Sequence, residues 1–340
     1  MKILFIGDPH LKISRLDISK KFLAWINDLV ISVKPDLVVN LGDSFDTHAV
    51  IRSEIMTEFM RHVFACTKVC RYIYLVGNHD QYKPNDSAYH ALSHIKGKIN
   101  NFIIVDDTSV IDNITFVPYK HESSLFPLRT TPICVAHQTF IGADYGHLIA
   151  KDGVDPSTIQ GVSLIVSGHI HKRQELAFNN VRVKYPGSPY AQSASDVGET
   201  KGVIILNTDD MSEQFIECPL PKWRSLDLEI KENFDLQSAH EVLLKSINNM
   251  DNFIVTLKGP KIEIMAYLES DKYKEIANNK LKIKTLFTDK HKKQTRIENK
   301  DVENIVYSYI DSIYSGSLNK DDLKERVKSL VKEVKESTLV

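Results

Sequence analysis

The chain opens on a nearly unbroken apolar run, Lys2-Ile-Leu-Phe-Ile-Gly, that halts at the carboxylate of Asp8. The same figure returns at 36–43 (DLVVNLGD) and at 71–80 (RYIYLVGNHD). Between these runs the apolar positions switch to a helical period: Ile18, Phe22, Ile26, Leu29 and Val33 mark one helix, and a second covers about 53–69. Apolar strands alternating with amphipathic helices predict a parallel sheet buried on both faces. From about residue 102 helices become scarce. The segments NFIIV, ITFVPY, PICVAHQ, SLIVSGHIH, VRVKYPGS and GVIILN follow at short spacing, which predicts a second, mixed sheet packed on the first.

After about residue 212 the texture changes. WRSLDLEI, a helix near 238–249, FIVTLKG, a helix near 263–279 and LKIKTLF predict a small α+β module. The stretch 288–296, TDKHKKQTR, is polar and basic without periodicity and is expected to be a linker. Two apolar stripes close the chain. Val302, Ile305, Val306, Tyr309, Ile310 and Ile313 form one, and Leu323, Val327, Leu330, Val331 and Val334 the other. Gly316 separates them and Asn319 suits the second helix's N-cap. The expected domains are therefore 1–212, 213–287, the linker 288–296 and a helical tail 297–340.

Composition narrows the picture. A chain of 340 residues, 42% apolar, can bury one large core and one or two small modules. Its net charge is −1, so any hold on a polyanion has to come from a local patch. Cys66, Cys70, Cys134 and Cys218 show no paired framework, and no second Cys or His pair follows Cys66 and Cys70 at zinc-finger spacing. They are expected to be reduced thiols. The apolar core before Asp8 is short for a signal peptide, and no stretch reaches the ~20 apolar residues of a membrane span. A soluble, cytoplasmic protein is expected.

The chemistry gathers just past the strands: Asp8-Pro-His10, Gly42-Asp43-Ser-Phe-Asp46, Gly77-Asn78-His79-Asp80, Ala136-His137-Gln138 and Gly168-His169-Ile-His171. An α/β sheet places its ligand sites there. A glycine and an asparagine after a strand also suit a plain turn, and His169 with His171 could be paired strand histidines. The set as a whole has the composition of a metal site. Carboxylates with imidazoles suit Mn, Fe or Zn, and a bridging Asp can hold two ions. In DPH and HIH the ligands stand at i and i+2, which in an extended segment point the same way.

The ordered set D-x-H, GD-x-x-D, GNHD, H and GHxH resembles the calcineurin-like metallophosphoesterase superfamily over roughly residues 1–210. The resemblance implies an α/β, two-sheet metallophosphoesterase sandwich flanked by helices, with the α+β module as a capping domain and the tail as a C-terminal helical hairpin. It also implies two divalent ions, manganese or magnesium. Asp8, His10 and His171 would bind one, and Asn78, His137 and His169 the other, with Asp43 bridging. His79 would be catalytic, meeting the scissile phosphate and stabilising or protonating the leaving oxygen.

Within the superfamily, YPGSPYAQSASDVGETKGVIIL (185–206), AHQTF and the cap–linker–tail layout resemble the SbcD-type, or Mre-family, nuclease subunits of DNA repair and recombination. The compact length is similar to that of phage recombination endonuclease subunits. That likeness implies a DNA exo/endonuclease subunit processing double-strand breaks, paired with an SbcC-type coiled-coil ATPase through the tail, and a homodimer inside a heterotetramer. The dimer helices would be about 53–69, with Ile55, Phe59, Val63, Phe64, Met56 and Met60, and about 87–96. Asp46 stands where some members carry a phosphate-contacting His and is kept as a candidate phosphate contact; His48 is expected to be a surface histidine. Lys290, Lys292, Lys293 and Arg296 could touch DNA phosphates. The rivals are a phosphoprotein phosphatase, a small-nucleotide phosphodiesterase, or a non-catalytic DNA-tethering scaffold.

Overall fold

The computed structural model describes residues 1–48, 50–83, 86–230, 236–247, 251–277, 280–288, 306–307 and 323–329. In chain order the first elements are β1 (Lys2–Ile6), α1 (Leu16–Val33), β2 (Leu37–Asn40), α2 (Ser53–Cys66), β3 (Arg71–Leu75), β4 (Gln81–Lys83) and β5 (Asp86–His90). Then come β6 (Phe102–Val105), β7 (Ser109–Ile111), β8 (Ile114–Val117), β9 (Ile133–His137) and β10 (Leu164–Gly168). Next are β11 (Gln174–Phe178), β12 (Val181–Tyr185), β13 (Gly202–Asn207) and β14 (Glu213–Glu217). Last are β15 (Trp223–Glu229), α3 (Leu236–Ser246), β16 (Asn252–Gly259), α4 (Lys261–Glu269), α5 (Asp271–Ile276) and β17 (Leu281–Phe287).

Two six-stranded sheets face each other, in the orders β14-β13-β1-β2-β3-β6 and β11-β12-β10-β9-β8-β7. Phe5, Val39, Ile73 and Leu75 of the first meet Phe116, Val135, Leu164 and Val166 of the second in one buried cluster. The first sheet's other face carries α1 and α2. Phe22, Ile26 and Val30 of α1, spaced one helical turn apart, are buried against it with Ile55, Phe59 and Val63 of α2. Each such side chain contributes roughly 1.5–3 kcal/mol by leaving water. Lys34, in the left-handed region at φ 49°, caps α1 through its amide on the Val30 carbonyl, and Pro35 prevents the helix continuing.

Four expectations need correction. NFIIV and GVIILN, expected in the second sheet, belong to the first: β6 pairs parallel with β3, and β13 pairs antiparallel with β1. The first sheet is therefore mixed. The stretch 87–96, expected as a dimer helix, instead supplies β5, which pairs antiparallel with β4, followed by a short 3₁₀ turn over Ser93–Ile95. Ile55, Phe59 and Val63, expected on a self-association stripe, are spent on the internal core, whereas Phe64 is exposed. The helix expected near 263–279 is two, α4 and α5, because the Ser270 side chain accepts from the Tyr273 amide and starts a new helix.

Beyond β14, β15, β16 and β17 form a separate parallel sheet. Its own core joins Leu228, Phe253, Val255, Leu257, Ile264 and Tyr267. Trp223 and Ile254 pack on Ala191 of the main body. The expected linker, apart from Thr288, and the cations Lys290, Lys292, Lys293 and Arg296 lie outside the described residues. So does most of the tail; residues 323–329 are helical, and the Lys324 ammonium lies 6.0 Å over the Tyr307 ring. Among the described residues no helix is long and apolar enough to cross a membrane.

Candidate metal centre

The parallel strands deliver their polar ends to one place. Asp8 follows β1, Asp43 follows β2, Asn78 and His79 follow β3, His137 ends β9, and His169 and His171 follow β10. Two clusters result: Asp8, His10 and His171 in one, Asp43, His137 and His169 in the other. In the first, His10 Nε2 lies 2.9 Å from His171 Nε2. In the second, Asn78 Oδ1 lies 3.0 Å from His137 Nε2 and 2.8 Å from His169 Nδ1. Asp43 faces both: its Oδ2 is 3.2 Å from His137 Nε2 and 3.9 Å from His10 Nε2.

These residues fit divalent cations. Asp8 is fully buried, yet its Oδ2 has no hydrogen-bond partner, a costly state for a carboxylate oxygen unless a cation meets it. Ligand atoms about 2.1 Å from one ion stand about 3 Å apart at right angles, close to the separations here. The His137 Nδ1–H donates to the Leu41 carbonyl at 2.6 Å, which fixes the tautomer and leaves the Nε2 lone pair aimed into the site. Asp8 Oδ1 is held by the His169 amide at 2.7 Å.

The backbone is strained at this point. His10, Asp43 and His169 have φ of 41°, 50° and 82°, where non-glycine residues cost about 1–3 kcal/mol each. The extended geometry expected of DPH and HIH is therefore absent, and His169 and His171 serve different clusters. Glycine is required for close approach at Gly77, where a Cβ would stand 2.2 Å from Asp43 Oδ1.

Electrostatics follows from burial. It pushes His10 and His169 down to about 3. Burial disfavours a charged His137 as well, but the Asp43 carboxylate prevails and raises it to about 9. Burial opposes ionisation of Asp43, and His137 beside it nevertheless holds it well below the usual carboxylate range. The Asp43 carboxylate thus favours a cation at His137 Nε2, whether proton or metal.

Two contributions were not read from the sequence. Asp80 is a buried hub: Oδ2 accepts from the Asp43 and Gly77 amides at 2.8 Å each, and Oδ1 from the Ser44 amide at 3.2 Å. Its place in GNHD was the signal. His48 is exposed, as expected of a surface histidine, and it also stacks on His79 with ring centroids 4.2 Å apart. Asp46 is taken up by Lys12, Nζ to Oδ1 3.0 Å. Cys66, Cys134 and Cys218 are buried free thiols pushed up by burial, so they are poor nucleophiles.

A family model described as calcineurin-like phosphoesterase matches residues 1–173. "Putative phosphoesterase 244L" of Invertebrate iridescent virus 6 is 28% identical over 296 residues, which is 82% of this chain and 98% of that protein. "Exonuclease subunit 1" of Enterobacteria phage T4 is 26% identical, covering 64% of this chain and 67% of that one. The SbcD subunit of the SbcCD nuclease of Staphylococcus epidermidis is 23% identical, covering 75% and 79%.

Proposed function

The chain belongs to the calcineurin-like phosphoesterase family, whose members are metal-dependent, and from that premise we propose that it is a DNA exo/endonuclease subunit that works on broken duplex ends with a coiled-coil ATPase. The observation that carries this reading is the Asp43 carboxylate standing between two ligand clusters while its other oxygen accepts the His79 amide. The DNA substrate is favoured by relatives named as nuclease subunits.

Asp8, His10 and His171 would hold one ion and Asn78, His137 and His169 the other, with Asp43 shared; manganese is the proposed metal. Bound there, two cations supply charge for the phosphoryl oxygens and lower the pKa of attacking water. His79 keeps its Nδ1 toward the Asp46 carbonyl, 3.4 Å away, and would present Nε2 to the leaving oxygen.

Residues 213–287 would act as a cap that guides the strand. A cavity of about 750 Å³ between the cap and the main body is lined by Arg15, Gln192, Trp223, Lys280 and Lys282 among others. Aromatic and cationic groups of this kind suit a polyanion with stacking bases. The Gln192 amide donates to the Pro9 carbonyl at 2.8 Å, joining the cavity wall to the first ligand loop. The tail 297–340 would dock on the ATPase, and the chain would pair with itself; co-purification with and without residues 297–340, with mass by light scattering, tests both.

The deciding experiment compares Mn²⁺ with Mg²⁺ on end-labelled DNA, a small phosphodiester and a phosphopeptide. Hydrolysis of DNA and the diester is expected. Activity confined to the phosphopeptide would overturn the nuclease reading in favour of a protein phosphatase, and no hydrolysis with DNA binding intact would favour a scaffold.

A further inference from the structure

The hairpin that follows the GNHD loop carries two tyrosines that the core does not use. β4 starts at Gln81, directly after Asp80, whose carboxylate holds the Asp43 and Gly77 amides. The far end of the hairpin returns to the same residue, because the Ala91 amide donates to the Asp80 carbonyl at 2.8 Å. Gln81 and His90 pair across the ladder and are both buried. The Leu92 amide donates to His90 Nδ1 at 3.3 Å, and His90 Nε2 lies 3.4 Å from Asp106 Oδ2. The root of the hairpin is therefore fixed to the loop that bears Asn78 and His79.

Neighbours along a strand point to opposite faces. With Gln81 and His90 turned inward, Tyr82 and Tyr89 turn outward together, and they are 53% and 68% exposed. Between that pair and the next, Lys83 with Asp86, one residue of β4 stands against three of β5. Such a bulge bends the strand and re-aims its side chains, and bulges concentrate beside active sites. The Lys83 ammonium lies 5.3 Å over the Tyr82 ring, so a cation accompanies the aromatic face. A single exposed tyrosine needs no explanation. Two on one face, three and ten residues beyond His79, have the composition of a base-stacking surface. The rings suit a nucleobase and the lysine suits the phosphate beside it. With a net charge of only −1, the chain gives a strand no general attraction, and local contacts of this kind have to supply it.

We propose that Tyr82 and Tyr89 form a stacking platform for an unpaired base of the DNA strand whose phosphodiester lies at the metal centre. Through it the chain reads a strand by its bases as well as by its phosphates. It does so without regard to sequence, because every base offers a π-face. The inference rests on the nuclease reading above.

The test uses the full manganese-loaded chain and two double variants. Tyr82→Ala with Tyr89→Ala removes both rings, and Tyr82→Phe with Tyr89→Phe keeps them. Each protein is offered an oligothymidylate and a strand of equal length built wholly of abasic sugar phosphates, and the ratio of the two kcat/KM values is read. The Ala pair should lower that ratio by about 5- to 150-fold relative to wild type, and the Phe pair should keep it. An unchanged ratio in the Ala pair overturns the proposal: unchanged rates would leave the face to a protein partner, and equal losses on both strands would make the hairpin a structural support. Binding without metal is followed alongside with a 2-aminopurine strand, whose fluorescence is quenched on stacking. Quenching by the wild type and not by the Ala pair is expected, and equal quenching by both would overturn the platform. Should the wild type cleave neither strand, the nuclease reading fails, and this titration still decides whether the rings hold a base.

Discussion

The backbone amide of His79 donates to Asp43 Oδ1 at 2.7 Å, so the residue proposed to meet the substrate hangs from the carboxylate that lies between the two ligand clusters. Asp43→Asn keeps an oxygen for that amide and removes the charge. Hydrolysis should fall at least about 10³-fold, as expected when two-cation electrostatics is lost, with fewer than two ions retained and the fold intact. His79→Ala should lose about 10²–10⁴-fold, the usual worth of a proton-transfer group, and retain both ions. Anomalous scattering from manganese-soaked crystals separates the two. An ion missing from the His79 variant would make His79 a ligand.

Gly77→Ala should damage the centre without replacing a ligand. The new Cβ would stand 2.2 Å from Asp43 Oδ1 and 2.7 Å from the Asp43 nitrogen. Relief requires the GNHD loop to move, at about 1–3 kcal/mol for overpacking of this kind. Metal affinity and activity should both fall by more than about tenfold. Wild-type metal affinity by calorimetry would show that the loop shifts freely.

Lys201 is buried, 5% exposed, and ties the ligand loop to the segment after it. Its ammonium donates to the His171 carbonyl at 2.7 Å and pairs with Asp196 and Glu199 at 2.9 and 2.6 Å. Removing one partner from a buried ion cluster costs about 3–5 kcal/mol. Lys201→Met should lower stability by that amount in urea unfolding and weaken the first metal site, which contains His171. Metal affinity equal to wild type would confine Lys201 to stability.

His62 sets a pH dependence outside the centre. It is buried between α1, α2 and β3, with Nδ1 2.6 Å from Asn27 Oδ1 and Nε2 3.2 Å from the Tyr72 hydroxyl. Burial pushes it down to about 3, so the folded chain holds it neutral where the unfolded chain begins to protonate near 6.5. The unfolded state then binds more protons, and stability falls as pH drops from 6.5 toward 3. Between pH 7 and 5 the wild type should lose about 2 kcal/mol more than His62→Gln. Parallel pH profiles of urea midpoints would count against a neutral His62.

Much of this centre was legible because a parallel sheet sends each strand's last residues to the same edge, so local motifs report a shared location. The pairing of β13 with β1 was not legible, since an apolar strand does not announce a partner some 200 residues away (Leu206 beside Ile3). Nor was the backbone at His10 and His169, where an i, i+2 count assumes extended chain and φ is positive. Asp43 and His79 were placed together by motif. The stacking of His48 on His79 was not legible, because His48 lies outside any motif register and meets His79 only through the fold.

The order in which the chain leaves the ribosome gives the β1–β13 pairing a further consequence. Every proposed metal ligand has emerged by His171, but the strand that closes the free edge of β1 is made only at Gly202–Asn207, and β12, which covers β10, only at Val181–Tyr185. For that interval the nascent chain holds a complete set of ligands on two sheets with open edges, the state most exposed to wrong pairing. A fragment ending at Arg173 should accordingly be insoluble and bind no manganese, while one extended past Glu217 should stay in solution and take up the metal, as sedimentation and metal analysis would show.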